Sequence, residues 1–300
     1  MPSHFMFRGA ATALVTPMHD DGEIDVESLR RLVEFQISNG INGLVPVGTT
    51  GESATLTHPE HHHIMDIVAE QTVGRVPIIV GAGSNSTREA ISLTRHARAI
   101  NADAVLSVAP YYNKPTQQGF IEHYKAIAEA VDIPVFIYNV PGRTGSNIAA
   151  ETTLRLAEIP GIAGIKEASG NIPQIMEILR HRPTNFAVLS GDDALTLPMM
   201  ALGADGTISV VANEMPFEFS RMVQLCREND FVHAREIHEN LLGLMNANFI
   251  ESNPIPVKAA LAMMGMIREN YRLPLTRMPF EKRIALRRIL EELSLLEPAA

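Results

Sequence analysis

The chain is short of cysteine: Cys226 is the only one in 300 residues. No intramolecular disulfide can staple the fold, a reducing compartment suits it best, and Cys226, in a helical-looking stretch, reads as core packing. Long apolar runs are also missing. Nothing in the sequence is long and apolar enough to cross a bilayer, and Met1 to Gly9 lacks the apolar region and small-residue cleavage site of a leader. A cytoplasmic protein without a membrane partner is expected. Positive charge is scarce too, with 25 Lys and Arg against 34 Asp and Glu and a formal charge of -9, which repels nucleic acid and anionic membrane. An anionic metabolite is not excluded, because main-chain amides or one arginine can supply a local field. Convincing metal-ligand spacing is absent as well. His58, His61, His62 and His63 cluster, but they fall in the first turns of a capped helix without a pattern for the remaining ligands. Neither a metal nor a cofactor is expected.

The 46% hydrophobic content is enough to bury a large core, as one α/β barrel or as two ordinary domains. Eight short apolar runs decide between them: Ala10–Val15, Gly43–Val47, Pro77–Gly81, Ala104–Val108, Pro134–Tyr138, Ile162–Lys166, Phe186–Ser190 and Gly206–Val210. Most are apolar along their whole length and do not alternate, which signals strands covered on both faces and hence a parallel sheet. Helical segments follow them. Thr57-His58-Pro59-Glu60 reads as a capping box with proline in the first turn, Ser86-Thr87-Arg88-Glu89 as a second box, and Gly40 as the stop after Val26–Asn39. Repeated strand-then-helix units with no linker from Gly9 to about Arg227 predict a (β/α)8 TIM barrel over residues 1–228. Beyond it, Phe231–Phe249, Pro256–Arg268 and Pro279–Leu296 predict a C-terminal helical subdomain, residues 229–300, of the kind that covers a barrel flank or an oligomer interface.

A barrel gathers the ends of its strands at one face, where such folds carry their sites. Ile162-Ala163-Gly164-Ile165-Lys166 ends an apolar strand in a single ammonium. Burying an amine favours its neutral, nucleophilic form, as Schiff-base chemistry requires; the plainer reading is a strand-end lysine snorkelling to water. Gly48-Thr49-Thr50-Gly51-Glu52 after the second strand offers amides and hydroxyls to a carboxylate, or is simply a tight turn. Pro110-Tyr111-Tyr112-Asn113-Lys114-Pro115 after the fourth holds two of the five tyrosines, which could equally pack a loop. Tyr138-Asn139-Val140-Pro141-Gly142-Arg143 after the fifth places a phenol at the mouth with an arginine behind it. Lysine, tyrosine and arginine together suit a keto acid, through nucleophile, proton donor and bidentate clamp. Asp192 and Asp193 after the seventh strand could ligate a metal, but read better as a helix start.

On the motifs Val47-Gly48-Thr49-Thr50-Gly51-Glu52-Ser53, Pro110-Tyr111-Tyr112-Asn113, Tyr138-Asn139-Val140-Pro141-Gly142-Arg143-Thr144, Gly164-Ile165-Lys166-Glu167-Ala168 and Asn253-Pro254-Ile255-Pro256-Val257-Lys258, the chain resembles the pyruvate-dependent aldolase and lyase superfamily. Within it, the resemblance is to the dihydrodipicolinate synthase family, over essentially the whole length. It implies that Lys166 forms an imine with pyruvate, whose enamine attacks L-aspartate 4-semialdehyde. It further implies a proton relay of Thr50, Tyr112 and Tyr138, with Tyr112 reaching its own site and Tyr111 crossing to a neighbouring subunit. Thr49 and Thr50 amides are implied to hold the pyruvate carboxylate, Arg143 the semialdehyde carboxylate, and Gly191 and the Ile208 carbonyl to line the pocket. An L-lysine effector site is implied at Ser53, Ala54, His58, His61, Asn85, Glu89 and Tyr111, in a homo-oligomer built as a tetramer. Superfamily members acting on sugar acids generally lack the arginine at position 143, so a sugar-acid aldolase and a non-catalytic homologue are the competing readings. Ser169 departs mildly from the threonine common in relatives.

Overall fold

Strands apolar on both faces need cover on both, and the chain supplies it by alternating strand with helix. The computed structural model describes residues 5–297. In chain order it contains β1 (Gly9–Ala13), α1 (Val26–Ser38), β2 (Gly43–Val45), α2 (His58–Thr72), β3 (Ile79–Gly81), α3 (Thr87–Ala99), β4 (Ala104–Val108) and α4 (Gln117–Ala130). Then come β5 (Val135–Asn139), α5 (Pro141–Thr144), α6 (Ala150–Ala157), β6 (Ile162–Glu167), α7 (Ile172–His181), β7 (Ala187–Ser190), α8 (Asp193–Ala201) and β8 (Gly206–Ser209). The helices α9 (Pro216–Arg227), α10 (Phe231–Ala247), α11 (Ile255–Met263) and α12 (Phe280–Glu292) follow.

All eight strands run parallel in the order β2-β1-β8-β7-β6-β5-β4-β3, and a Leu44–Ile78 bridge joins the two ends. This is the expected TIM barrel. The alternation of side chains along each strand divides the core in two. Ala11, Ala13, Val45, Ile79, Leu106, Phe136, Tyr138, Leu189 and Ile208 fill the barrel, whereas Ala10, Leu44, Val80, Val105, Ile137, Ile165 and Val188 face the helices. Helix α10 packs on α8 and α9, and α11 and α12 pack on each other.

Strand ends differ from expectation for local reasons. β2 stops at Val45, because Val47 takes a left-handed φ of 50° that turns the chain over the mouth. β3 and β5 begin after Pro77 and Pro134, which have no N–H for the ladder. The Thr57 capping box forms, with Glu60 accepting from the Thr57 N–H at 2.7 Å. The expected box at Ser86 does not: its side chain makes no capping bond, and Glu89 turns instead to Ser84 and His58. Cys226 is buried, and burial pushes its thiol up to about 11, in keeping with a packing role.

Candidate active site

On β6, Gly164 and Lys166 share the face that looks into the barrel, and Lys166 is paired in register with Tyr138 of β5. Lys166 is 5% exposed. Its Nζ stands 4.4 Å from the centroid of the Tyr138 ring, a cation–π distance. Among the described residues it makes no hydrogen bond and no ion pair. The neighbouring carboxylate is engaged elsewhere. Glu167 points to the other face of the strand, where its oxygens accept from Asn139 Nδ2 at 3.1 and 3.3 Å, the Ser169 N–H at 2.7 Å and Gln174 Nε2 at 3.2 Å. Glu167 therefore does not compete for Nζ. Gly191 leaves the lysine stem its room: a Cβ there would lie 2.9 Å from Lys166 Cε and 2.8 Å from Ala168 Cβ.

Lys166 and Tyr138 border a cavity of about 140 Å³, together with Thr49, Thr50, Arg143, Gly191 and Asn253. Among the described residues the main-chain N–H groups of Thr49 and Thr50 meet no acceptor, although the neighbouring Gly51 and Glu52 amides close the turn. Two unspent N–H groups on a turn form a concavity suited to an anion. Among the described residues the Arg143 side chain, carried by α5, makes one hydrogen bond, from Nη2 to the Asn253 carbonyl at 3.2 Å, and the rest of its fork meets no acceptor. Asp192 caps α8 by accepting from the Ala194 N–H at 3.0 Å. Asp193 is buried and accepts from the Val210 and Val211 N–H groups at 3.0 and 2.8 Å, while burial pushes its carboxyl up to about 6. The pair thus starts a helix and anchors the loop after β8. Among the described residues no group of three His, Cys, Asp or Glu is placed to hold a metal.

Two residues fall outside this cavity. Ile208 does not border it, but lies in the barrel's inner cluster, and Val210 takes its place on the wall. Tyr112 does not reach its own chain's cavity: its φ of 71° turns it outward, where it is 90% exposed. The expectation that Tyr112 reaches its own chain's site is not met. Tyr111, 39% exposed, borders a second cavity of its own chain, and Tyr112 is the tyrosine left to the outside.

That second cavity, of about 410 Å³, shares Thr49, Val140, Arg143 and Asn253 with the first. Ser53, Ala54, His58, His61, Glu89 and Tyr111 line it. Asn85 does not; its carbonyl accepts from Asn113 Nδ2 at 2.9 Å and fixes the tyrosine loop from behind. Hydrogen bonds from Ser84 first and His58 next hold the Glu89 carboxyl below the usual range. Burial lowers the pKa of His61, whose Nε2 lies 2.8 Å from the Gly81 carbonyl. The cavity is thus bordered by the Glu89 and Glu52 carboxylates, the latter paired with Lys258, and by the His58 and His61 imidazoles.

Three features had no assigned role in the sequence reading. Asn253 donates from Nδ2 to Thr50 Oγ1 at 2.9 Å. Lys258 forms an ion pair with Glu52 in which both side chains are fully buried. Arg272 ties Gly22, Thr55 and Glu60 together. Each joins residues about 200 or more positions apart, beyond the reach of any local pattern. The signal available was a lysine and an asparagine in an otherwise apolar, proline-rich stretch.

The profile of the dihydrodipicolinate synthetase family matches residues 6–293. The 4-hydroxy-tetrahydrodipicolinate synthase of Koribacter versatilis is 54% identical over 293 residues, covering 97% of this chain and 98% of that protein. A crystal structure of the chloride-inhibited dihydrodipicolinate synthase of Acinetobacter baumannii in complex with pyruvate is 47% identical, with a TM-score of 0.95 over 96% of this chain and 99% of that one. The lysine-bound enzyme of Cyanidioschyzon merolae is 42% identical, with a TM-score of 0.94 over 97% and 99% of the two chains.

Proposed function

The chain belongs to the dihydrodipicolinate synthetase family, and from that premise we propose that it condenses pyruvate with L-aspartate 4-semialdehyde to give 4-hydroxy-tetrahydrodipicolinate, the committed step toward diaminopimelate and lysine. The observation that carries the reading is a buried lysine without an ion-pair partner among the described residues, facing a tyrosine in a small cavity rimmed by unspent amides and an arginine. Lys166 Nζ adds to the pyruvate carbonyl and water leaves, giving an imine. Loss of a methyl proton turns the imine into an enamine, whose carbon forms the new bond to the aldehyde, and the resulting alkoxide takes up a proton. The amino group of the second substrate then displaces Lys166 from the imine carbon and closes the ring.

In this reading the Thr49 and Thr50 amides hold the pyruvate carboxylate, and Arg143 clamps the carboxylate of the semialdehyde. Tyr138 and Thr50 move protons at the reacting carbons. The exposed Tyr112 completes the relay from a neighbouring copy of the chain, in a homotetramer working in the cytoplasm. Support comes from its outward pose and from the relative solved with pyruvate. Borohydride reduction in the presence of pyruvate is expected to fix one pyruvate-derived adduct on Lys166, located by peptide mass spectrometry. An unmodified Lys166 would refute the reading.

The second cavity is read as the seat of an L-lysine effector, with Glu89 meeting an ammonium group. Its lining and the lysine-bound relative support this. Calorimetry should detect L-lysine binding that is lost in Glu89→Gln, and an athermal, rate-neutral titration would sink the idea.

A further inference from the structure

Asn253 lies between α10 and α11, is 6% exposed, and borders both cavities. Its two polar ends do different work. The side-chain Nδ2 donates to Thr50 Oγ1 at 2.9 Å, and the main-chain carbonyl accepts from Arg143 Nη2 at 3.2 Å. Its position is firmly set, because the buried Glu52–Lys258 pair ties α11, which begins two residues after Asn253, to the turn that carries Thr50.

A threonine hydroxyl has one proton and two lone pairs. An N–H donated into Oγ occupies one lone pair and drives the hydroxyl proton toward a different acceptor. Among the described residues the Thr50 proton has no such acceptor, and the Tyr138 hydroxyl, which borders the same cavity, has no hydrogen-bond partner either. The proton is thus left for the cavity. With the amide turned the other way, its oxygen would absorb that proton and Thr50 could not pass it on.

We propose that Asn253 is a positioning residue that sets the direction of the Thr50 proton through its side chain and the place of Arg143 through its main chain. The proposal rests on the reading of Thr50 as a relay member. It also predicts a separation of effects: side-chain substitutions disturb the relay, and the arginine clamp, held by a carbonyl that any residue carries, stays.

The test uses steady-state kinetics on the full-length protein with Asn253→Ala, Asn253→Asp, Thr50→Val and the Thr50→Val/Asn253→Ala double variant. Asn253→Ala should lower kcat about 10- to 100-fold and leave KM for the semialdehyde within about twofold, the range expected of one misdirected proton-transfer group. Asn253→Asp, nearly isosteric, should be the worse of the two at pH 8, because a carboxylate accepts the Thr50 proton, and it should regain activity as the pH falls and the carboxyl becomes a donor. In the Thr50→Val background, Asn253→Ala should cost less than about twofold further. An Asn253→Asp enzyme as active as Asn253→Ala, a loss that multiplies with that of Thr50→Val, or a loss confined to the semialdehyde KM would each overturn the proposal. The borohydride adduct on wild-type Lys166 is scored in the same preparation. Its absence removes the underlying reading, and its presence alongside any of those three results removes this proposal alone.

Discussion

Lys166→Ala should lower kcat/KM by about four orders of magnitude or more, roughly 5.5 kcal/mol of transition-state stabilisation at about 1.4 kcal/mol per decade. The loss is that large because the nucleophile is removed and not just weakened: without Nζ no imine forms, and pyruvate supplies no carbanion equivalent at neutral pH. The fold should survive. Lys166 holds no ion pair or hydrogen bond among the described residues, so truncation orphans no buried partner, and its side chain borders an existing cavity. Lys166→Arg separates charge from chemistry. The guanidinium keeps a cation near the Tyr138 ring but is not a nucleophile, so it should be as inactive as alanine. Activity of either variant within tenfold of wild type, or a melting temperature lowered as far as in a core truncation, would contradict the assignment.

How far the sequence could be read depends on the distance over which a signal acts. The strands were legible because a run such as Ala104–Val108, apolar throughout, needs cover on both faces, and the β4 bounds agree with the expectation. Lys166 was legible because a lone lysine at the end of Ile162–Lys166 violates that pattern. Asp192 was legible as a helix start because its cap acts over two residues. The second capping box failed where a local pattern met tertiary competition: Glu89 had the right spacing from Ser86, but Ser84 and His58 claimed its carboxylate. Tyr111 and Tyr112 are indistinguishable as letters. A left-handed φ at Tyr112, set by the loop's path, sends one to the second cavity and the other outside. Asn253 and Thr50 are 203 positions apart, so their contact exists only once the barrel has closed and the segment between α10 and α11 has folded back onto the turn after β2.

Lys258→Met should destabilise the protein by about 3–5 kcal/mol, a large part of the roughly 5–15 kcal/mol that holds a typical fold together. Lys258 and Glu52 are both fully buried and are joined by a direct contact. Burial pushes the Lys258 ammonium below the usual lysine range, and the charge of Glu52 opposes that shift. The Tyr271 ring lies 5.3 Å from Nζ, and Glu52 Oε2 also accepts from the Arg272 N–H at 3.3 Å. Removing the ammonium leaves the Glu52 carboxylate in a place where water cannot reach it. The cost is therefore that of an uncompensated buried charge, well above that of a surface pair. Glu52→Gln with Lys258→Met removes both charges and keeps an acceptor for Arg272, so it should restore most of the stability. Urea and thermal midpoints at fixed protein concentration, assembled as a double-mutant cycle, measure this, and additive losses in the double variant would disprove the coupling. The same cycle bears on catalysis. Glu52 follows Thr50 by two residues and Lys258 follows Asn253 by five, so the pair clamps the two chain segments whose hydrogen bond aims the Thr50 hydroxyl. Lys258→Met should accordingly lose activity at temperatures below its own unfolding transition, and the charge-free double variant should regain activity together with stability.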